Sequence, residues 1–242
     1  MGTGKALRTY LRAYDKVVFY ARCARGYARS KFSAGTFGPF PVLLGRVRLR
    51  IRGQATFGAR LMVEAPDWDV TVSVAEGATL TVGDGVYVND GTSIEVWHDV
   101  RIGSNVLLAP FVSIIDTDRH EVEPGTPLFK GPTVIGDRVW LGRNVTVLPG
   151  VTVGSGSVIG AHSVVSRDIP PCVFAAGSPA RVIKPLDLPD NWDHRYGYGA
   201  MVKPAGPWAA LRRRLDRSVA NGRGGRRAVG AHRRERVSSR EA

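Results

Sequence analysis

The chain has little of what a secreted or membrane-spanning protein needs. Its 242 residues include two cysteines, Cys23 and Cys172, which form no recognisable disulfide framework or metal-binding pattern. No run of residues approaches the roughly 18 apolar positions of a membrane span, and no apolar segment typical of a signal peptide follows the first residues. A Walker-type loop and a dinucleotide fingerprint are also missing. We therefore expect a reduced, cytoplasmic protein without a bound metal.

The net charge of +13 is concentrated at the two ends of the chain. Residues 1–60 carry 13 Lys and Arg against one acid, and residues 206–242 carry 11 Arg against three acids. The middle of the chain is net negative, at −7. A protein that binds nucleic acid typically presents a basic stripe on a recognisable module, and the sequence contains no such module. We therefore expect no nucleic-acid partner.

A six-residue repeat runs from Val82 to Val165, with a two-residue slip near Ile94–Val96. In each repeat an aliphatic residue, often followed by Gly, precedes a compact residue by four places. The aliphatic positions are Val82, Val88, Val96, Ile102, Leu108, Ile135, Leu141, Val147, Val153, Ile159 and Val165. The compact positions are Val86, Thr92, Val106, Val112, Val139, Val145, Val151, Ser157 and Ser163. A fixed period defines the whole architecture, so this one predicts a solenoid.

Six residues are enough for one short strand and one tight corner. Three such sides form an 18-residue coil, a triangular prism in which the aliphatic residues point inward. A weaker form of the period passes earlier through Ile51, Phe57, Val63 and Val74. Just before it, three aliphatic residues (Val47, Leu49, Ile51) alternate with four arginines (Arg46, Arg48, Arg50, Arg52), which predicts a half-buried edge strand. We therefore predict a mainly-β solenoid domain over residues 45–185.

The two ends of the chain are expected to be appendages of this solenoid. Residues 1–44 hold a predicted amphipathic helix and a lead-in strand. One face of the helix is apolar: Leu7, Tyr10, Leu11, Tyr14, Val17, Val18 and Ala21. It either caps the prism, as the stacked coils require, or associates weakly with an anionic membrane surface. Residues 186–242 predict a short helix around Trp208 to Val219 and then a disordered basic tail.

The repeat is interrupted between Ile114 and Ile135, where the chain reads IDTDRH and continues into a proline-containing loop. The surrounding phrases are IGSNVLLAPFVSIIDTDRH and IGDRVWLGRNVTVLPGVTVGSGSVIGAHSVVSRDIPPCVFAAGSPARVIK. They resemble the hexapeptide-repeat acyltransferases, and in particular the branch that acetylates maltose and galactosides. The resemblance implies a left-handed parallel β-helix and a homotrimer with sites between subunits. It also implies an acyl-CoA co-substrate and a saccharide acceptor.

The resemblance also implies roles for residues around the loop. His120 corresponds to the general base, a role that suits an imidazole because it titrates near neutrality. Either Asp116 or Asp118 would orient its ring, and the sequence does not choose between them. Asn89 would contact the acceptor and Trp140 would line the cleft. The Gly142 backbone amide would hold the oxyanion.

The coenzyme is expected to lie in a groove between adjacent prisms. By position in the family pattern, Arg143, Ala161, Ser166 and Arg167 would line that groove. Arg181 and Lys184, in the phrase GSPARVIK, would pair with the nucleotide phosphates.

These residues predict direct acyl transfer from acyl-CoA to a sugar hydroxyl, with acetyl as the default group. A medium-chain donor is the alternative if the apolar helix near the N-terminus, or Phe111 and Phe129, extends the cleft. The alternatives are N-acylation of an amino sugar and a non-catalytic scaffold. Some β-helices bind zinc through three histidines, and this chain has His98, His120 and His162. That family places two of its histidines five residues apart, a spacing that is missing here.

Overall fold

The structure is a computed structural model that describes residues 35–121 and 123–189, together with the single positions Ala21, Ala24 and Ala28. Apart from Ala21, the residues of the predicted N-terminal helix lie outside this description. The predicted C-terminal helix and basic tail also lie outside it. Within the described ranges, no helix has the length and apolar character needed to span a membrane.

The described residues form short strands joined by tight turns. In chain order they are β1 (Thr36–Phe37), β2 (Val42–Ile51), β3 (Gln54–Phe57), β4 (Met62–Val74), β5 (Thr79–Val82), β6 (Tyr87–Asn89), β7 (Ser93–Val96), β8 (Asp99–Ile102), β9 (Leu107–Leu108), β10 (Ser113–Ile115), β11 (Thr133–Ile135), β12 (Trp140–Leu141), β13 (Thr146–Val147), β14 (Thr152–Val153), β15 (Val158–Ile159), β16 (Val164–Val165), β17 (Val173–Gly177) and β18 (Ala180–Pro185).

The strands stack into three parallel faces of a prism. Face 1 is the sheet β1-β3-β5-β8-β11-β14. Face 2 contains β6, β9, β12, β15 and β17, and face 3 contains β7, β10, β13 and β16. The long strand β4 joins faces 2 and 3, because its first residues pair with β6 and its last residues pair with β7. The predicted parallel solenoid is therefore confirmed.

The six-residue pattern describes the interior of the prism. All eleven aliphatic positions of the repeat are buried, and so are the nine compact positions at the corners. The arginines of β2 are exposed while the aliphatic residues between them are partly buried, as the alternation predicted. Aliphatic burial of this extent is the main favourable contribution to folding, and here it accumulates coil by coil.

Glycine is required where successive coils stack most tightly. A Cβ on Gly103 would lie 2.7 Å from the backbone nitrogen of Asp137 and 2.8 Å from the carbonyl carbon of Gly136. A Cβ on Gly83 would lie 2.7 Å from the carbonyl carbon of Gly103 itself. These glycines therefore belong to the repeat because a side chain would push the coils apart.

The later coils have the ideal length, and one loop interrupts them. Trp140 pairs with Val158, a step of 18 residues. In contrast, the step from Ser113 on β10 to Thr146 on β13 is 33 residues, because the chain leaves the prism after β10 and returns at β11. The stack ends at a hairpin in which β18 pairs antiparallel with β17. The structure thus places one long excursion on an otherwise regular prism.

Candidate functional site

Two corners of the prism carry most of the predicted site residues. The asparagine corner, between faces 2 and 3, consists of the turns 89–92, 109–112, 142–145 and 160–163. The histidine corner, between faces 3 and 1, consists of 97–98, the loop 116–132, 148–151 and 166–168. Face 3 separates them, and at about 3.3 Å per residue its four-residue strand β7 spans roughly 13 Å. Residues at the two corners of one chain therefore lie on opposite edges of face 3.

The loop 116–132 is fixed at its root on the histidine corner. Thr117 forms an antiparallel bridge with Lys130, and the amide of Asp118 donates to the carbonyl of Phe129 at 3.1 Å. The amide of Gly131 donates to the carbonyl of Asp116 at 3.2 Å. The two ends of the loop are therefore held together, and His120 follows the fixed segment by two residues.

The Asp116 side chain is used in hydrogen bonds at the root of the loop. Its side chain is fully buried, and its two oxygens accept the backbone amides of Trp97 and His98, each at 2.8 Å. The carboxylate thus joins the start of the loop to the corner of the coil below.

His120 and Asp118 are both exposed beyond this root. Arg119, which separates them, has a positive φ of 63° and lies with its guanidinium 5.1 Å from the centroid of the Trp97 ring. Its Nη1 also pairs with Glu95 at 2.8 Å. Arg119 therefore anchors the chain on face 3 immediately before His120, a clamp that sequence reasoning missed. Its signal in the sequence was an acidic residue, Glu95, two positions before Trp97, with the cationic Arg119 one coil later.

Asn89 and Gly142 lie two coils apart on the asparagine corner, and Trp140 precedes Gly142 by two residues on β12. Asn89 ends β6 and is buried, whereas Trp140 on β12 is 38% exposed. The amide of Gly142 donates to the carbonyl of Ile159 at 2.9 Å, so it belongs to the ladder between coils. The next amide, that of Arg143, has no hydrogen-bond partner among the described residues. An amide at this turn is therefore open to a ligand one residue after the predicted position.

The predicted coenzyme-binding residues are exposed but divided between the corners. Arg143 and Ala161 lie at the asparagine corner, while Ser166 and Arg167 lie at the histidine corner. Two further predicted residues, Arg181 and Lys184, are exposed on β18 at the end of the stack. One chain does not bring the six residues together.

The three histidines considered as zinc ligands are also divided. His98 lies at the histidine corner, and His162 lies at the asparagine corner with Nδ1 3.3 Å from the side-chain nitrogen of Asn144. Within residues 35–121 and 123–189, no three His, Cys, Asp or Glu side chains are grouped closely enough to hold a metal ion.

Sequence reasoning also missed an open cleft beside Asn89. Its volume is about 410 Å³, and its lining residues are Arg46, Arg48, Trp68, Asp69, Gly91 and Phe111. The guanidinium carbon of Arg143 lies 4.9 Å from the centroid of Phe111, so the cleft adjoins the turn with the open amide.

Comparison with known proteins agrees with this architecture. Residues 132–167 match the family model described as bacterial transferase hexapeptide (six repeats). The galactoside O-acetyltransferase of Escherichia coli is 40% identical over 145 residues, which cover 59% of this chain and 68% of that protein. A putative acetyltransferase of Schizosaccharomyces pombe is 33% identical over 189 residues, covering 73% and 87% of the two chains.

A solved structure has the same fold. The hexapeptide-repeat acetyltransferase VCA0836 of Vibrio cholerae, complexed with acetyl coenzyme A, gives a TM-score of 0.50 at 22% identity and covers 74% of this chain and 89% of its own. The left-handed parallel β-helix that the resemblance implied is confirmed. Taken with the sequence relatives, the prism places this chain in the hexapeptide-repeat acetyltransferase family, beside the galactoside O-acetyltransferases.

Proposed function

We propose that this chain transfers an acyl group, acetyl by default, from acyl-CoA to a hydroxyl of a sugar or glycoside. The observation that carries the proposal is His120, exposed two residues beyond the fixed root of the loop on the prism. Relatives from Escherichia coli and Lactococcus lactis are named galactoside O-acetyltransferases, which supports a sugar acceptor. The Vibrio cholerae neighbour was solved with acetyl coenzyme A, and we place the same class of donor on this chain.

The reaction proceeds by direct attack. His120 removes the proton from the acceptor hydroxyl as its oxygen bonds to the thioester carbonyl carbon. The carbon–sulfur bond then breaks, and the histidine proton passes to the departing coenzyme thiolate. No acyl-enzyme is needed. Cys172 lies at the third corner, after Pro171, and is therefore away from the histidine corner.

Asp118 is the carboxylate that orients His120 in this proposal. Asp116 is buried and already accepts two backbone amides, so it positions the loop root instead. Asp118 is exposed two residues before His120, and its carboxylate has no partner among the described residues. A carboxylate close to the ring would stabilise the imidazolium that forms during proton transfer.

The oxyanion is held by the amide of Arg143. The Gly142 amide is used in the ladder between coils, whereas the Arg143 amide has no partner in the described part of the chain. A backbone N–H aimed at the carbonyl oxygen stabilises the charge that develops there. The exposed face of Trp140, on the strand that leads into this turn, would line the pantetheine path.

The complete site requires two copies of the chain. His120, Ser166 and Arg167 lie at the histidine corner, but Asn89 and Arg143 lie across face 3 at the asparagine corner. A homotrimer, as predicted, would bring the histidine corner of one prism against the asparagine corner of the next. The coenzyme would then lie in the groove between them, with Arg181 and Lys184 near its phosphates.

The test is transfer of a labelled acyl group by purified protein. Acyl-CoA donors from acetyl to medium chain are combined with a panel of glycosides and amino sugars. We expect ester formation with a glycoside, and His120→Ala is expected to lower kcat by about 10²- to 10⁴-fold, the usual loss on removing a general base. Cys172→Ser is the control and is expected to retain full activity.

The outcomes separate the alternatives. A product that resists hydroxylamine, formed only with amino sugars, would indicate N-acylation and contradict the O-acyl assignment. Full activity of His120→Ala would remove this residue from the mechanism. Turnover by Cys172→Ser reduced as far as by His120→Ala would instead indicate an acyl-enzyme. No transfer to any acceptor from any donor would contradict the proposed function itself.

A further inference from the structure

The cleft at the asparagine corner has an arginine pair that no step of the proposed reaction uses. Arg46 and Arg48 lie on the exposed side of β2, and both form ion pairs with Asp69. Arg48 donates from Nε to Oδ2, whereas Oδ1, 2.7 Å from Nε of Arg46, accepts no hydrogen bond from the described residues. Asp69 is only 19% exposed, whereas the side chains of Arg46 and Arg48 are 68% and 60% exposed. The carboxylate therefore holds both guanidinium groups at the mouth of the cleft.

The outer donors of the pair remain open. Arg46 uses one terminal nitrogen on the carbonyl of Asp67, at 2.9 Å. The two terminal nitrogens of Arg48 have no partner among the described residues. A guanidinium presents five N–H donors in a planar fork, so Arg48 can still pair with a carboxylate or phosphate through two parallel bonds. Among the residues that line the cleft, Arg46 and Arg48 carry two positive charges and Asp69 carries the single negative charge, so an anionic ligand is favoured.

An aromatic platform forms the other wall of the cleft. Trp68 is 61% exposed and contacts Phe111 edge to face, with ring centroids 5.7 Å apart. The amide of Trp68 donates to Asp90 at 3.1 Å, which fixes the bend of β4. Ligand sites are typically lined by aromatic rings with a few polar groups that set orientation. An exposed indole suits the C–H face of a sugar ring, which is apolar.

The cleft lies next to the acceptor side of the proposed active site. Gly91, in its wall, is two residues after Asn89, and the guanidinium of Arg143 lies over the ring of Phe111. A saccharide seated on Trp68 would therefore extend toward the turn where the acyl group is transferred.

We infer that this cleft is the acceptor subsite and that the acceptor saccharide carries a carboxylate or phosphate group, which pairs with Arg48 and Arg46. The inference rests on the proposed function and adds the class of acceptor. The sugar ring packs on Trp68, and its anionic group reaches the arginine fork.

The experiment compares matched acceptors on the full-length protein. A methyl glucoside, the corresponding glucuronide and glucose 1-phosphate are used in transfer assays. Their binding to His120→Ala is measured by calorimetry, so that affinity is seen without turnover. We expect one of the two anionic sugars to exceed the neutral glucoside by about ten- to a hundred-fold in kcat/KM and affinity, as loss of a charged hydrogen bond would imply. The better of the two identifies a uronic acid or a sugar phosphate.

Variants then show which residues cause the preference for an anionic sugar. Arg48→Gln is expected to abolish it while leaving the KM for acyl-CoA unchanged, and Trp68→Ala is expected to weaken all three sugars equally. Arg101→Gln is the matched control, because Arg101 is an exposed arginine paired with Asp99 on face 1. Melting curves confirm that each variant is folded, and Arg46→Gln gives a second test of the pair.

Three results would overturn the inference. Equal use of neutral and anionic sugars would do so while leaving the proposed acyl transfer intact. A rise in the KM for acyl-CoA with Arg48→Gln would assign the arginines to the coenzyme instead. Failure of every sugar to bind His120→Ala would remove the subsite, whereas absence of transfer despite Arg48-dependent binding would contradict only the proposed reaction.

Discussion

Replacing Asp116 by Asn tests whether the buried carboxylate holds the root of the loop 116–132. The side chain is fully buried, and each oxygen accepts one amide at 2.8 Å, from Trp97 and from His98. An asparagine of nearly the same shape offers one oxygen and one NH₂ group to these two donors. One bond is therefore lost, a donor faces a donor, and the remaining bond is no longer assisted by charge.

The magnitude follows from the groups left without partners. An unsatisfied amide costs about 1–3 kcal/mol, and weakening of the second bond adds about 1 kcal/mol. The side chains of Trp97 and His98 are exposed, so water reaches part of this corner and lowers the upper limit. We expect Asp116→Asn to lower the free energy of unfolding by about 2–3 kcal/mol, which corresponds to a fall in Tm of roughly 4–12 °C for a chain of this size.

The measurement is thermal or urea unfolding of both proteins at one concentration, because the stability of an oligomer depends on concentration. Asp118→Asn is the matched control, since that carboxylate is exposed and its removal should leave Tm unchanged. An Asp116→Asn protein that melts within about 1 °C of the wild type would refute the argument, because it would mean that the two amide bonds contribute little.

Two further variants test the clamp before His120 and the stacking of coils. Trp97→Leu removes the ring under Arg119, an exposed cation–π contact of about 0.5–1 kcal/mol. We expect kcat to fall about two- to five-fold with Tm and the KM for acyl-CoA unchanged; equal kcat, or a parallel loss of Tm, would show that the clamp does not position the histidine. Gly103→Ala places a Cβ 2.8 Å from the carbonyl carbon of Gly136, so we expect a destabilisation of about 1–3 kcal/mol or more by overpacking. Gly125→Ala, which meets no atom within 4 Å but has a φ of +82°, should cost about 1–2 kcal/mol, and a milder effect at Gly103 than at Gly125 in urea unfolding would contradict the packing argument.

The location of the loop was predictable, but the roles of its two aspartates were not. The break in the repeat after Ile114 and the return at Ile135 are visible as a gap in a period of six. Asp116 and Asp118 are separated by one residue, and both match the same family pattern. Their difference arises because Asp116 meets the amides of the coil below while Asp118 lies past the bridge that closes the loop. Contacts between coils are set by stacking, which no local pattern records.

The cleft at the asparagine corner was likewise not predictable from local sequence patterns. Arg48, Trp68 and Phe111 are separated by up to 63 positions in sequence. They meet because β2, the bend of β4, the turn after β6 and the turn after β9 stack in that order. Arg46 and Arg48 suggested only the charged face of an edge strand. Their pairing with Asp69 depends on the register of β2 against β4, which shifts between Gly45 and Val47.

The amino-acid sequence by itself determined the prism. Its six-residue period places one aliphatic residue inside each of the three sides of a coil, and it leaves glycine where successive coils touch. It also determined the place of the interruption and the histidine that follows it. The tertiary structure alone decided which groups are available for chemistry. Hydrogen bonds between stacked coils consume the Gly142 amide and the Asp116 carboxylate, and the width of face 3 separates His120 from Asn89. Those outcomes depend on neighbours that are a full coil away along the chain.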